Sequence, residues 1–521
     1  MNLDIQNTFL NNLPADSISS NVSRQVVEAA YSFVNPQKPD HPSLIHASLE
    51  VAKTVGLSSK DLHSKAFLDV FSGNTILKNT KPFAMAYAGH QFGSWAGQLG
   101  DGRAIVLFEA RHQNKSIMFQ LKGAGKTPFS RNGDGLAVLR SSIREHLCSE
   151  AMHNLGVPTT RSLSLVLSGN QVLRDMLYNG NQDFEKGAIV CRTAPSFIRF
   201  GNFELFASRN DLKNLQLLAD YTIKHYFQEI KSQGISKYID FFETVANTTR
   251  QLIVHWQRVG FVHGVMNTDN MSIHGITIDY GPYGWLEDYN LQWTPNTTDR
   301  QHKRYRYENQ PQIAQWNLVQ LANALYPLIN DAKPLEAILN QFSTQYEIDY
   351  QKMMLQKVGF ETDNQDTRSL ILLLTENLQA IETDMTLFFR TLSTVSKKDS
   401  PEMAIEKISL SFYNTSELKE EVLKRWMYWF SLYIQQLQYE KQSDKHRKKR
   451  MNLVNPKYVL RNYMAQMVIE EADKGNYDLL HEMYQLLLNP YQEQPNYQKW
   501  FAKRPDWAKH KIGCSMLSCS S

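Results

Sequence analysis

Cysteine is scarce in this chain, with four among 521 residues. So few cysteines exclude a disulfide scaffold and point to a reducing, cytoplasmic setting. A surplus of either charge is also missing: 56 Lys and Arg against 52 Asp and Glu leave a net +4. That balance does not suit a protein held on nucleic-acid phosphates. No apolar run approaches the roughly 18 residues needed to cross a bilayer. Residues 1–20 carry Asp4 and Asp16 but no Lys or Arg, so the basic start of a secretory or transit peptide is lacking. No internal repeat is visible. What is present is ordinary for a globular protein, 42% hydrophobic and 21% charged. The length implies one large domain or two to three modest ones.

The stretch richest in chemistry runs from Phe261 to Gly281, FVHGVMNTDNMSIHGITIDYG. An apolar pair leads into a turn of His, Gly, Asn and Asp, and residues 276–279 then read as a short strand. Asp269, Asn270 and Asp279 are hard oxygen ligands on neighbouring irregular segments, which suits a Mg²⁺ ion shared with phosphate. The order parallels the catalytic core of protein kinases, a His-x-Asp-x-x-x-x-Asn loop followed by a metal-binding Asp-Phe-Gly. His263 and Asn270 mark the ends of that loop, and Asp279-Tyr280-Gly281 stands for the second motif. Position 265, where the kinase base belongs, holds valine. A polar turn whose Asp279 caps the next loop is the plainer reading of the same residues.

Upstream, a Gly-rich segment from Tyr87 to Gly97 precedes Leu99-Gly-Asp-Gly-Arg103. Gly100 and Gly102 would let the backbone approach a phosphate, with Arg103 adding charge; a lone Gly-x-Gly is more often only a turn. Residues 104–109 read as a buried strand and 111–115 as a hairpin connection. In residues 116–122, Ile117, Phe119 and Leu121 share one face, and Met118, Gln120 and Lys122 the other. A helix over 136–154 follows Gly133-Asp134-Gly135, with Leu136, Leu139, Ile143 and Leu147 as its buried stripe. Glu145 lies nearly opposite that stripe among small residues, so this second face is expected to pack too. A buried carboxylate needs a cation, and Lys122 is the candidate, as in the lysine–glutamate pair of kinases. Residues 162–167 and 188–192 are strand-like around a polar tip at 179–186. Arg192 and Arg199 flank a proline turn in apolar company, where arginine seeks a carboxylate or a phosphate.

Residues 1–80 read as a cap wrapped on the core, and 211–259 as mostly helical. After a polar loop over 287–309, amphipathic helices are expected at 316–328, 335–345, 367–393 and 416–438. The basic run Lys445–Arg450 reads as a solvated helix end or linker, since a nucleic-acid face would interleave aromatics.

With these residues in hand the chain resembles the selenoprotein O family of pseudokinases, in its cysteine-containing bacterial form. The segments that carry the resemblance are GHQFGSWAGQLGDGRA, LKGAGKTPFSRNGDGLAVLRSSIREHL, CRTAPSFIRFGNFE, HGVMNTDNMSIHGITIDYGPYGWLEDY, NPKYVLRN and the terminal CSS. They run in order from about residue 84 to the end. The resemblance implies an α+β, protein-kinase-like two-lobe fold: a β-rich N-lobe over 84–200 and a helical C-lobe over 201–400. Extensions would cover 1–83 and, as helices ending in a Cys-containing tail, 401–521. It implies transfer of AMP, instead of phosphate, from ATP to Ser, Thr or Tyr hydroxyls of proteins, with pyrophosphate released. ATP would bind inverted, its γ-phosphate buried and its α-phosphate facing the acceptor. Lys122 would contact phosphate and pair with Glu145, while Gly100, Gly102, Arg103, Asp134 and Gly135 line the nucleotide. Arg192 and Arg199 would hold the buried phosphates. Asn270 and Asp279 would bind Mg²⁺ or Mn²⁺, with Asp279 also against the nucleotide, and Asp269 would accept the proton. The partners implied are ATP and hydroxyl-bearing proteins, with no nucleic acid or membrane, for a cytoplasmic monomer.

One feature departs from the family. Its bacterial members are expected to carry a cysteine after Asp-Tyr-Gly that pairs with the C-terminal one, yet residues 284–309 contain none. Cys514 is the substitute candidate partner for Cys519, with Cys148 and Cys191 as others. The basic Lys509-His510-Lys511 nearby favours a reactive thiolate. Transfer of UMP, a kinase with a relocated base, and a silent ATP-binding scaffold are the competing functions; the complete set of ligands with Lys122 and Glu145 argues against the scaffold.

Overall fold

The alternation at residues 116–122 becomes a central strand of an antiparallel sheet in the computed structural model, which describes residues 1–176 and 178–518. Along the chain the first strands are β1 (Asp4–Gln6), β2 (Tyr31–Phe33), β3 (Ser43–Ala47), β4 (Phe83–Met85), β5 (Ala88–Gln91) and β6 (Ser94–Gln98). They are followed by β7 (Ala104–His112), β8 (Lys115–Lys122), β9 (Ala137–Val138), β10 (Arg161–Asp175), β11 (Gln182–Ala194), β12 (Phe261–Val262) and β13 (Gly284–Trp285). Among the described residues nine of these form one sheet in the order β2-β4-β7-β8-β11-β10-β3, with β1 added on β7 and β9 on β11. Beyond β11 the chain is mainly helical, so the architecture is α+β. No helix among the described residues is long and apolar enough to cross a membrane.

The first 83 residues are more than a wrapping. Three short strands tie them into the sheet, β1 to β7, β2 to β4 and β3 to β10. The helix expected from residue 136 begins three residues later, as Leu139–Asn154. Ala137 and Val138 instead pair with Ala188 and Gly187 of β11, which holds them extended. That helix is buried on nearly every side, because the sheet covers one face and the helices Asn462–Asp473 and Asp478–Leu487 pack on others. Glu145 is thereby shut away from water on both sides, so an opposite charge is required.

Other boundaries also moved. The strands expected at 162–167 and 188–192 extend as the long β10–β11 hairpin. Residues 276–279 are not a strand; Thr277 makes only isolated bridges, to Thr159 and Met271. The helix expected over 367–393 is two, Gln365–Ala380 and Met385–Leu392. Asp384 breaks it by accepting from Leu387 N at 2.9 Å and pairing with Arg461 at 2.6 Å. The 335–345 helix runs on as Ala332–Val358, and the 416–438 helix is Glu420–Tyr439. The basic run lies inside the helix Asp444–Val454, where Arg447 is buried and caps the Val395 carbonyl.

Candidate functional site

The register of the sheet decides which charges meet. Side chains two apart on a strand share a face, so Gln120 and Lys122 of β8 point the same way. Arg192 of β11 stands directly across from Gln120 and joins that face. Against it lies the Leu139–Asn154 helix, with Glu145 only 2% exposed. Lys122 Nζ is 2.6 Å from Glu145 Oε2, and Arg192 Nη1 is 3.0 Å from Glu145 Oε1. One carboxylate therefore serves two cations, an arrangement that sequence reasoning had reduced to a single pair. Arg192 also donates to Gln120 Oε1.

Lys122→Met and Glu145→Gln are each expected to lower the urea midpoint of unfolding. The double variant should lose less than the sum, because residues in contact couple by about 0.5–3 kcal/mol. Strict additivity across the four proteins would contradict a shared network.

Asp279 closes the cluster from the other side. It accepts from Lys122 Nζ at 2.6 Å and from Arg192 Nη1 at 3.2 Å, with Arg199 Nη1 at 3.8 Å. Burial opposes its ionised form, but Lys122, Arg192 and Arg199 together outweigh this and hold the carboxyl well below its usual range. Arg199 begins the Phe200–Ser208 helix, stacks 4.8 Å over the Tyr87 ring and donates to the Asp269 carbonyl at 2.7 Å. Arg192 and Arg199 are both 2% exposed, and here they face carboxylates.

Asp269 sits in a tight turn held from several directions. The Asn270 amide donates to the Val265 carbonyl at 2.9 Å, and the Asn317 amide donates to the Met266 carbonyl at 2.9 Å. Asp269 Oδ2 accepts from Gln91 Nε2 at 3.2 Å, whereas Oδ1 is buried with no partner. Burial raises this carboxyl to about 6, with Arg199 opposing and Asp279 adding to the shift. His263, buried against Trp256, is pushed down to about 4 and is neutral at pH 7.

A cavity of about 840 Å³ opens over these groups. Lys122, Arg192, Arg199, Asp269 and Asp279 line its floor, and Gly100, Gly102, Arg103, Asp134 and Gly135 also border it. The role expected of the glycines changes. Gly100 has φ +95°, and a Cβ there would lie 2.3 Å from Phe129 Cγ; one on Gly102 would lie 2.9 Å from the Phe129 carbonyl. Close packing on the 123–135 loop therefore demands these glycines whether or not phosphate approaches. Asp134 is bound by Arg174 through two contacts of 2.8 Å at the cavity mouth.

Sequence reasoning missed Asp101, Gln120 and Gln91. Asp101 is 1% exposed, accepts from Met85 N at 3.1 Å and from Gln120 Nε2 at 3.2 Å, and lies 3.8 Å from Arg199. Its position inside Gly-Asp-Gly was the available signal. Gln120, two residues before Lys122, was legible from the strand alternation.

By chemistry the oxygens of Asn270 and Asp279 suit a hard divalent cation, although Asn270 is not among the residues that line the cavity. Asn270 commits its N–H, which leaves its oxygen as the ligand end, and Asp279 faces the cavity. No cluster of three His, Cys, Asp or Glu among the described residues is placed to hold a metal alone. Phosphate and water would complete the shell, the normal habit of Mg²⁺.

Cys519 lies outside the described residues. Cys148, Cys191 and Cys514 are free and buried. Burial raises all three thiols, Cys514 to about 12, which keeps them from the thiolate form. The tail still reaches the loop that lacks the family cysteine: Leu517 N donates to the Pro295 carbonyl at 3.2 Å, and Thr297 N to the Leu517 carbonyl at 2.8 Å.

Comparison with known proteins completes the description. A family model described as Protein adenylyltransferase SelO matches residues 18–488. A protein nucleotidyltransferase YdiU of Flavobacterium johnsoniae is 63% identical over 520 residues, covering 100% of both chains. Proteins of the same name from Rhodopirellula baltica and Aromatoleum aromaticum are 51% and 48% identical, over 540 and 528 residues. These alignments cover 100% of this chain and 99% and 100% of the relatives.

Proposed function

This chain belongs to the SelO family and is a protein nucleotidyltransferase; from that premise we propose that it moves AMP from ATP onto Ser, Thr or Tyr hydroxyls of cytoplasmic proteins. The observation that carries the reading is Asp269, whose buried Oδ1 has no partner and whose carboxylate borders the same cavity as the Lys122, Arg192 and Arg199 cations. An unpartnered carboxylate oxygen on a residue that borders the same cavity as three cations supports the reading, while Val265 leaves no base at the kinase position.

The acceptor hydroxyl gives its proton to Asp269 Oδ1 as its oxygen bonds to the α-phosphorus. The bond from that phosphorus to the bridging oxygen of the β-phosphate breaks, and pyrophosphate leaves with the electron pair. Lys122, Arg192 and Arg199 stabilise the charge that gathers on the departing phosphates. For this the two arginines release part of their hold on Asp279 and Glu145. Arg103, Asp134 and the Gly100–Gly102 turn border the rest of the nucleotide. Asn270 and Asp279 would hold Mg²⁺ or Mn²⁺, which supplies charge neutralisation at the phosphates. In this reading residues 84–200 and 201–400 act as the two lobes of a kinase-like fold, with 1–83 and 401–521 as extensions.

Incubation with α-labelled or γ-labelled ATP, Mg²⁺ or Mn²⁺, and a bacterial protein extract tests the proposal. Label on protein is expected from the α-position and not from the γ-position. Label from γ-ATP would instead mean phosphoryl transfer, and stronger label from α-UTP than from α-ATP would replace AMP by UMP.

A further inference from the structure

We infer that the acceptor segment is acidic near its hydroxyl, and that Arg304 is the residue that selects it. The inference rests on the nucleotidyl-transfer reading and asks what protein surface that site admits. The β5–β6 turn connects the two places. Gln91 donates to Asp269 Oδ2 at 3.2 Å; the next amide, Phe92 N, donates to Asn267 Oδ1 at 3.1 Å and to Tyr305 Oη at 3.0 Å. Gly93, the residue after, lies against Arg304, where a Cβ would be 3.3 Å from Cζ. Gln91 and Gly93 are two residues apart, about 7 Å at full extension. An acceptor held at Asp269 therefore presents its neighbours, within about three residues, to Arg304.

Arg304 makes no contact ion pair among the described residues, and Asp299 acts on it only from a distance. Its guanidinium lies 4.7 Å over the Trp316 ring and 5.7 Å from that of Tyr305, which fixes its plane. Its Nε is buried without a hydrogen bond, and its side chain otherwise meets the Tyr305 hydroxyl. The nearby Asp299 carboxylate is engaged by the Arg304 and Tyr305 backbone amides at 3.0 and 2.7 Å. Arg300 and Lys303 beside it are exposed and make no ion pair with the described residues, whereas Arg306 is matched by Glu308 at 2.7 Å. Of the other titratable groups facing this turn, His90 Nδ1 meets Glu204 Oε1 at 2.6 Å. Phe92 and Trp95 at the hairpin tip are 38% and 45% exposed, so apolar area flanks the cation. A stacked arginine among aromatics, with no carboxylate in direct contact, fits an Asp or Glu side chain of a docked protein segment.

Three peptide pools test this, each with one central Ser, Thr or Tyr and with Asp, Ala or Lys at the flanking three positions on either side. With α-labelled ATP, the Asp pool should be labelled about tenfold more than the Lys pool at low ionic strength, and the preference should shrink as salt screens it. Arg304→Gln should bring the pools together and Arg304→Glu should reverse their order. ATP affinity and melting temperature serve as folding controls. Arg304→Lys, which keeps the charge but loses the planar fork, should retain a weakened Asp preference and stands in if the others fail to fold. Equal label on all pools, or an Asp preference that survives Arg304→Gln and Arg304→Glu, overturns the inference alone. No label on any pool while protein in the extract is labelled overturns it too, and no label on either overturns the transfer reading beneath it.

Discussion

Asp279→Ala should abolish transfer, lowering α-label incorporation by about three orders of magnitude, the scale of losing a charge-stabilising group at a phosphoryl centre. The argument is electrostatic. Asp279 is the carboxylate on which Lys122, Arg192 and Arg199 converge, at 2.6, 3.2 and 3.8 Å. It is also the anionic member of the pair proposed to hold the divalent cation. Its loss removes that ligand and leaves three buried cations with Glu145, Asp101 and Asp269 as their remaining local carboxylates. Those cations should then attract the phosphates of ATP directly, so ATP binding without added metal should be retained or strengthened while turnover disappears. Calorimetric ATP titration beside the labelling assay separates the two effects. Asp279→Asn, close in shape, is the control for a collapse of packing. Near-normal labelling by either variant would remove Asp279 from the mechanism.

How far the sequence reached depended on whether a pattern was local. Lys122, Gln120 and the hydrophobic face of β8 follow from strict alternation over seven residues. Glu145 followed from the opposite sign, a helix face with no charged neighbours around one glutamate. What alternation could not tell was that Arg192 would stand opposite Gln120 across the strand pair. That position follows from pairing between residues 72 positions apart, and a one-residue slip would have turned the arginine to the other face. The short strands β1 to β3 were invisible for a related reason. Three to five residues carry too little periodicity to separate a strand from an irregular cap, and their pairing is supplied by β7, β4 and β10.

Local signals also misled where distant partners intervened. Residues 367–393 carry helical periodicity throughout, but Asp384 is taken by Arg461 from 77 positions away, and the helix breaks there. The glycines at 100 and 102 were read toward a phosphate, whereas Phe129 occupies the space their side chains would need. The Gly-rich stretch at 87–97 gave no warning that it forms the β5–β6 hairpin. That hairpin delivers Gln91 to Asp269, and it links the Asp269 turn to the basic segment at 300–306.

Asp269→Asn isolates the proposed proton acceptor from the proposed phosphate-binding groups. The substitution keeps the shape of the turn and leaves Asn270, Asp279 and the three cations untouched. It replaces the unpartnered carboxylate oxygen by an amide that cannot take a proton. Loss of a positioned base costs about two to four orders of magnitude in kcat. The KM for ATP should change little, because in the proposed reaction Asp269 serves the acceptor hydroxyl and not the phosphates. This split differs from that expected of Asp279→Ala, where metal and phosphate are both affected. The Gln91 contact offers a further distinction. Gln91→Ala frees Asp269 Oδ2 but leaves the carboxylate, so a fall in kcat much smaller than that of Asp269→Asn is expected, measured on the same acceptor. If Asp269→Asn retained at least half of the wild-type kcat, proton removal would have to be assigned to another group. The other carboxylates that line the cavity are each held by a cation, Asp279 by Lys122, Asp134 by Arg174 and Asp101 by Arg199 at 3.8 Å; Asp269 Oδ1 is buried with neither a hydrogen bond nor an ion pair among the described residues.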